Sequence, residues 1–295
     1  FFAIKGSKYN GDKFIKKALK KGACAVITSK KIDGISQIVK VNKVKDTLGK
    51  ICSKFFKNKP KNIIAVTGTN GKSSVADFFH QILTLNGHSA ATIGTLGIKT
   101  KAIKKIYLTS PDVISLHKEL QSIKEKKIDN VLLEASSHGL VQGRIDGLKL
   151  KAGIFTNLSQ DHMDYHKSMK KYFEAKLILF KKLLNRNSYI ITDKSIPEFK
   201  IIKKIVKKRK MRGVYIDTIN SNYNLDEFKL IGNFQKKNLM MAIKACEILG
   251  LSKKKIIKCL NKIKSVKGRL ELVKEFPDQT KVFIDFAHTP DAIKT

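Results

Sequence analysis

The sequence predicts an α/β protein with a central, mostly parallel sheet carrying a P-loop-type ATPase domain and flanked by helices. A small α/β piece is expected before it, and the start of a Rossmann-like domain after it. Two observations carry this reading. From residue 62 onward, short apolar runs alternate with helical patterns, as parallel strands joined by crossover helices do. One of those runs also ends in a glycine-rich Gly68-Thr69-Asn70-Gly71-Lys72-Ser73 segment that opens a helix. The 295 residues, 42% of them hydrophobic, suffice for two domains and at least one sizeable core.

The elements follow in chain order. "FFAIKG" and "ACAVIT" read as strands, and "GDKFIKKALKKG" and "VKDTLGKICSKFF" as helices, closing a first unit over residues 1–59 that Pro60 separates from the rest. The central unit, residues 60–267, starts with the strand "NIIAVTG". Helices are then expected over 71–86, 112–127, 168–184, 195–209, 234–249 and 252–264, and strands over 130–134, 152–156 and 188–192. "KVFIDF", 281–286, starts a further strand in a last unit, residues 268–295. The chain opens on Phe1 rather than methionine and stops soon after that strand, so both ends are expected to be cut.

Composition excludes several classes. No apolar run approaches the roughly 20 residues of a membrane helix, and no secretory leader is recognisable. Cys24, Cys52, Cys246 and Cys259 form no CxxC pair, which argues against a disulfide framework or a structural zinc site and for a reducing cytoplasm. Net charge is +36, yet only five of the sixty basic residues are arginine. Base-edge recognition favours arginine forks, and these lysines are spread over nearly every helix, so no specific nucleic-acid partner is expected.

Strand, GxxGKS and helix together form a phosphate-binding loop. Its glycines let backbone N–H groups face a polyphosphate, the helix N-terminus adds favourable polarity, Lys72 can neutralise phosphate charge and Ser73 can reach Mg²⁺. Val66 stands where the strict pattern has glycine, so the loop is a variant. In such sheets ligands sit beyond the carboxyl ends of the strands. "NVLLEASSHG" brings Glu134, Ser136, Ser137 and His138 there; "GIFTNLSQDHMDYH" brings Thr156, Asn157, Asp161, His162, Asp164 and His166. Glu134 is placed as a hard magnesium ligand. His162 and His166 lie four apart but lack a third ligand at matching spacing, so zinc is a weak reading.

"YFEAKLILF", 172–180, puts Lys176 amid Tyr172, Phe173, Leu179 and Phe180 on one helical face. An ordinary lysine there would snorkel, with its stem on apolar neighbours and its ammonium in water.

Together these motifs resemble the Mur ligases, ATP-dependent amino-acid ligases of cell-wall synthesis, most closely the type that adds the third residue to UDP-N-acetylmuramoyl-L-alanyl-D-glutamate. "VTGTNGKSS", "LTSPD", "EASSHGLVQGRI", "FTNLSQDHMDYH", "YFEAKLILF", "GNFQKKNLMMAI", "GRLE" and "DFAHTPDA" occur in that family's order, from one end of the chain to the other. The resemblance implies an N-terminal uridine-binding domain, a central ATPase domain and the opening of a C-terminal domain. It implies ATP phosphates on Gly68, Thr69, Asn70, Gly71, Lys72, Ser73 and Ser74, with Asn238 and Arg269, and also Asp285 and His288, near the nucleotide and the interdomain hinge. Mg²⁺ would sit among Ser73, Glu134 and His162. The UDP-muramoyl dipeptide would lie on Thr109, Ser110, Ser136, Gln142 and Arg144, with Ser7, Lys8 and Tyr9 at the uridine. Lys176 would carry a CO₂-derived carbamate that serves as an acidic ligand near the metal, since apolar surroundings favour the neutral, reactive amine; Lys72, Lys176 and His162 are the expected catalytic residues. The implied product is an amide made through an acyl phosphate, with a diamino acid, meso-diaminopimelate or L-lysine, as the amine. A cytoplasmic monomer is expected, and a piece of this length should bind ATP without ligating. The competing readings are a folylpolyglutamate synthetase-like ligase, which shares the loop and the lysine helix, and a basic nucleic-acid-binding protein.

Overall fold

The computed structural model describes residues 1–6, 9–101, 103–104, 108–217, 223 and 232–294. The first segment contains α1 (Ile15–Lys20), β1 (Val26–Thr28), β2 (Ile38–Lys40) and α2 (Val44–Phe55). β1 and β2 pair in parallel, and Ala3, Ile15 and Val26 form a small core beside them. The expected first strand, "FFAIKG", is reduced to isolated bridges such as Phe2 with Ile27.

The central sheet has eight strands in the order β10-β9-β8-β3-β7-β4-β5-β6. They are β3 (Asn62–Thr67), β4 (Ala90–Gly94), β5 (Gly97–Lys99), β6 (Ile103–Lys104), β7 (Asn130–Glu134), β8 (Leu150–Phe155), β9 (Leu184–Asp193) and β10 (Arg212–Ile216). All pairings are parallel except those of β5 with β4 and β6. Helices cover both faces. On one lie α3 (Lys72–Leu85), α9 (Asn233–Ile248) and α10 (Lys253–Leu260), whose Phe78, Phe79, Ile82, Met240 and Ile243 pack over Ile64, Leu132 and Ile154. On the other lie α4 (Val113–Glu125), α7 (Met169–Ile178) and α8 (Phe199–Arg209), burying Leu116, Leu120, Leu177 and Ile202 against Ile63, Leu133 and Phe155. Each such side chain contributes about 1.5–3 kcal/mol by leaving water. Short helices α5 (Ser137–Val141) and α6 (Met163–His166) follow β7 and β8, and β11 (Glu271–Glu275), β12 (Lys281–Ile284) and α11 (Pro290–Lys294) end the chain.

β3 is the switch point. The chain runs from it to β4 and β7 on one side, then crosses to β8 on the other, which opens a crevice at the carboxyl ends of β7, β3 and β8.

The structure corrects several expected boundaries. The helix expected over 168–184 ends at Ile178 and continues as a π-turn, Leu179–Leu183. That wider turn keeps Leu179 and Phe180 in the core while Lys181 and Lys182 face outward. The helix expected from 195 starts at Phe199, because Pro197 disfavours the helical backbone just before it. The helix expected over 252–264 stops at Leu260. α2 packs on α4 through Leu48, Cys52 and Val113.

Candidate functional site

β3 delivers its loop with two glycines in conformations that L-residues rarely adopt, Gly68 at φ 149° and Gly71 at φ 85°. Both are also packed tightly: a Cβ at Gly68 would overlap Thr156 Oγ1, and one at Gly71 would overlap Asn238 Oδ1. The end of β8 holds the loop in place. Thr156 Oγ1 donates to Asn70 O (2.6 Å), Asn70 N donates to Asn157 Oδ1 (2.9 Å) and Thr69 N donates to Asn157 O (3.0 Å). Thr69 Oγ1 accepts from Ser159 N at 3.0 Å.

Lys72 begins α3 and folds back, donating to Gly68 O (2.9 Å) and Thr69 O (2.6 Å). Burial pulls its ammonium below the ordinary value; Glu134 opposes the shift and Arg269 adds to it. Ser73 and Ser74 are buried beneath the loop. Arg269 Nη2 approaches Ser73 Oγ at 3.4 Å, and a relay of Asn238, Gln235 and the Arg269 carbonyl ties α9 to the segment before β11.

Glu134, at the tip of β7, is 2% exposed. Its carboxylate accepts from Thr95 N (3.0 Å) and Thr95 Oγ1 (3.1 Å), and Thr95 Oγ1 also meets Thr109 Oγ1 at 3.1 Å. Behind Thr109 lies a polar cluster. Ser110 Oγ donates to Glu134 O and lies 3.2 Å from Ser136 Oγ, while Arg144 donates to Ser110 O (2.7 Å) and through two nitrogens to Gln142 Oε1 (2.9 and 2.6 Å). Ser136 caps α5 by accepting from Gly139 N.

A cavity of about 460 Å³ gathers these parts. Of the sequence-predicted residues, Thr69 to Ser74, Thr109, Glu134, His162, Asn238, Arg269, Asp285 and His288 line it. Ser110, Ser136, Gln142 and Arg144 stand beside it as the connected cluster. Gly68 and Lys176 lie behind the loop and do not line it. Asp285 is bound to the amides of Leu270 and Ala287, so it fixes the β11–β12 region rather than pointing a free carboxylate at the cavity. Tyr9 is 74% exposed and takes no part in the cavity; Ser7 and Lys8 lie outside the described residues.

Lys176 does not snorkel. It is 2% exposed, its Nζ donates to Gly68 O at 2.7 Å, and it sits 4.1 Å from the centroid of the Tyr172 ring. Burial drives its ammonium well below the ordinary lysine value, and the neighbouring Lys72 charge pushes the same way. Next to it is an aromatic wall of His138, His162, Tyr165, His166 and Tyr172. His166 is bound to Ser137 Oγ at 2.9 Å and is pushed down to about 4, first by burial and then by His138 and Lys176. His162, in the left-handed region at φ 53°, is the exposed member and pairs with Asp161 at 3.3 Å.

Among the described residues, no group of three or more His, Cys, Asp or Glu is arranged to hold a metal by itself. The donors present nonetheless suit a hard divalent cation: Glu134 is a buried carboxylate with no described cation in ion-pair range, and Ser73 offers a hydroxyl on the same cavity. Sequence reasoning missed Thr95, which joins Glu134 to Thr109, and Gln235, which joins Asn238 to Arg269. The "IGTLGI" hairpin signal, two residues between apolar runs, could have revealed Thr95; nothing in the sequence marks Gln235.

A glycine loop at the switch point, a lysine and serine opening the following helix, and a buried carboxylate at the adjacent strand tip define a phosphate-loop nucleotide-binding α/β protein. The family model of the Mur ligase middle domain matches residues 66–227, and the chain belongs to the Mur ligase family. A relative named UDP-N-acetylmuramoyl-L-alanyl-D-glutamate–2,6-diaminopimelate ligase, from Rickettsia bellii, is 39% identical over 321 aligned positions, covering 100% of this chain and 66% of the relative. A solved structure of a ligase of the same name superposes with a TM-score of 0.82 at 25% identity, over 99% of this chain and 65% of that one. The bifunctional folylpolyglutamate synthase/dihydrofolate synthase of Yersinia pestis, complexed with AMPPNP and a Mn ion, shares the fold at a TM-score of 0.62 and 17% identity, over 87% of this chain and 69% of that one. The chain thus spans about 66% of the length of the curated relative. No helix among the described residues is long and apolar enough to cross a membrane.

Proposed function

We propose that this chain is the nucleotide-binding part of an ATP-dependent ligase that joins a diamino acid to UDP-N-acetylmuramoyl-L-alanyl-D-glutamate. The observation that carries the reading is one continuous hydrogen-bonded path. From Glu134, at the phosphate loop, it runs through Thr95 to Thr109, and the Glu134 carbonyl leads on through Ser110 to Ser136 and Arg144. Phosphate chemistry and substrate anchoring thereby share one edge of the sheet. The curated relative favours 2,6-diaminopimelate over L-lysine as the amine, through its name. The division at residues 59 and 267, the cytoplasmic location and the monomeric state belong to the same reading.

In the proposed reaction, ATP transfers its γ-phosphoryl group to the D-glutamyl carboxylate, giving an acyl phosphate and ADP. The amine attacks that carbonyl and inorganic phosphate leaves. The protein contributes mainly alignment and charge, the dominant needs in phosphoryl transfer. Lys72 exchanges its bonds to Gly68 O and Thr69 O for phosphate oxygens, and the first-turn amides of α3 supply further donors to the same group. Glu134, Ser73 and His162 would hold Mg²⁺, which would neutralise charge developing on the transferred group. Arg144 clamps an anionic part of the muramoyl dipeptide. Lys176, whose ammonium burial lowers well below the ordinary lysine value, would be the residue that takes up CO₂ as a carbamate, the anion that replaces an ammonium beside Lys72.

The test is amino-acid-dependent phosphate release by the full-length enzyme. Release that requires both the UDP-muramoyl dipeptide and a diamino acid supports the assignment. Release driven by a folate and glutamate would transfer it to the folate ligases, and tight, steeply salt-dependent nucleic-acid binding without release would replace it.

A further inference from the structure

Away from the cavity, four groups from four elements meet under the turn that carries Arg144. Lys182, in the π-turn after α7, reaches Asp46 of α2 at 2.8 Å and Asp146 at 2.9 Å. Asp146 lies two residues beyond Arg144, is 3% exposed, and has no hydrogen-bond partner at Oδ1. Its carbonyl oxygen is held by His117 Nε2 of α4 at 2.9 Å. The chains approach too closely here for any side chain to intervene: a Cβ at Gly49 of α2 would stand 2.7 Å from Asp146 Cβ, and one at Gly147, at φ 81°, would overlap the Gly49 carbonyl. Gly143, on the other flank of Arg144, sits equally tight on the Asp146 carboxylate.

We propose that Lys182 is a positioning residue that sets how the N-terminal segment and the Arg144 turn stand to one another, and so fixes the spacing between the two ends of a nucleotide-sugar substrate. This rests on the function proposed above. Asp146 is a nearly inaccessible carboxylate, and Lys182 is the ammonium within ion-pair range of it among the described residues. Removing Lys182 leaves the buried Asp146 carboxylate uncompensated, so Asp146 must then shift or take up a proton. The glycine contacts transmit that shift in two directions, into α2 through Gly49 and into the Gln142–Arg144 turn through Gly143. Among the described residues, the Arg144 guanidinium donates to Gln142 Oε1 and the Ser110 carbonyl. Displacing the turn therefore re-aims the guanidinium while leaving the phosphate loop, which is anchored separately by Thr156 and Asn157, untouched.

The experiment compares wild type, Lys182→Met, Lys182→Arg and Asp46→Asn in the full-length enzyme. For Lys182→Met, KM for the UDP-muramoyl dipeptide should rise about tenfold, as small misplacements of a substrate clamp do, with KM for ATP and kcat within about twofold of wild type. Lys182→Arg should restore it, and Asp46→Asn should fall between. Hydrogen exchange supplies a readout that needs no substrate: the amides of Arg144 and Asp146 should exchange faster in Lys182→Met, and those of residues 69–75 should not. An unchanged KM, or unchanged exchange at 144 and 146 in a folded variant, overturns the proposal. Wild type that fails to bind the UDP-muramoyl dipeptide overturns the functional reading instead, while the exchange experiment still decides the clasp. If Lys182→Met does not fold, Asp46→Asn decides, because Asp46 lies at the surface end of the clasp.

Discussion

Gly68→Ala tests the geometry of the phosphate loop most directly, because its cost can be worked from two separate contacts. At φ 149° the backbone lies in a region open essentially to glycine, and forcing a methyl there costs about 1–3 kcal/mol. The added Cβ would also lie 3.0 Å from Thr156 Cβ and 3.1 Å from Asn157 N, and would overlap Thr156 Oγ1. Thr156 must turn away, giving up its bond to Asn70 O, a further loss of about 1 kcal/mol. The total is about 2–4 kcal/mol, and at about 2–4 °C per kcal/mol for a chain of this size the melting temperature should fall by roughly 5–15 °C. Differential scanning calorimetry of the full-length enzyme measures that drop, and ATP titration should show weakened binding in the same variant. A double-mutant cycle with Thr156→Ala separates the contributions: the overlap with Thr156 Oγ1 should vanish when Thr156 is truncated, and the backbone part, with the contacts to the residue 156 Cβ and Asn157 N, should persist. A Gly68→Ala enzyme that melts within about 1 °C of wild type and binds ATP normally would refute the loop conformation described here.

Lys72→Ala should abolish ATP-dependent turnover; unchanged phosphate release would remove the loop from the chemistry. Lys176→Met, similar in volume and free of the buried amine, should cost no more than about 1 kcal/mol of stability, one hydrogen bond, yet eliminate ligation. High bicarbonate should not restore it, whereas ¹³C-bicarbonate should give a carbamate resonance in wild type alone. His166, pushed down to about 4 from 6.5, stays neutral in the fold and takes up a proton more readily when unfolded. Its contribution is therefore complete above pH 6.5, is lost as pH falls towards 4, and amounts to at most about 3 kcal/mol. His166→Gln should flatten that part of the stability–pH curve in urea titrations, and an unaltered slope would count against the buried neutral imidazole. Thr95→Val should remove the hydroxyl bond to Glu134 and raise the Mg²⁺ concentration for half-maximal turnover a few-fold; an unshifted requirement would dissociate Thr95 from the metal site.

The parts of the site that sequence revealed are those whose chemistry is local. Glycines, lysine and serine in six consecutive residues announce a phosphate loop, because backbone conformation and helix polarity act over that distance. Glu134 was legible for a similar reason, since a strand end is a position that the sequence pattern marks. Thr95 and Gln235 were not, because each matters only through a partner about 35–40 residues away in the chain: Glu134 for Thr95, the Arg269 carbonyl for Gln235. Among the elements, strands with long Val/Ile/Leu runs were found. β4 and β5 were missed because Ala, Thr and Gly dilute their apolar signal, although tertiary pairing buries "AATIG" completely. The Lys182 clasp had no sequence signature at all: in a chain with sixty basic residues, one more exposed lysine looks like solvated surface until its carboxylate partners are seen.

Lys176 is buried rather than snorkelling, and its surroundings bear on the carbamate proposed for it. Its Nζ and that of Lys72 donate to the same oxygen, Gly68 O, at 2.7 and 2.9 Å. Two ammonium groups that share one acceptor away from bulk water repel each other. Lys72 has Glu134 and Asp161 supporting its charge and opens on the cavity. Lys176 is sealed behind the loop, where burial and Lys72 oppose the cation while Asp161 and the Tyr172 face favour it. Burial and Lys72 thus both lower the Lys176 ammonium and favour the neutral amine, held by a backbone carbonyl directly behind the phosphate loop. A neutral amine there is what the proposed carbamate requires: CO₂ would turn it into an anion and replace repulsion of Lys72 with attraction.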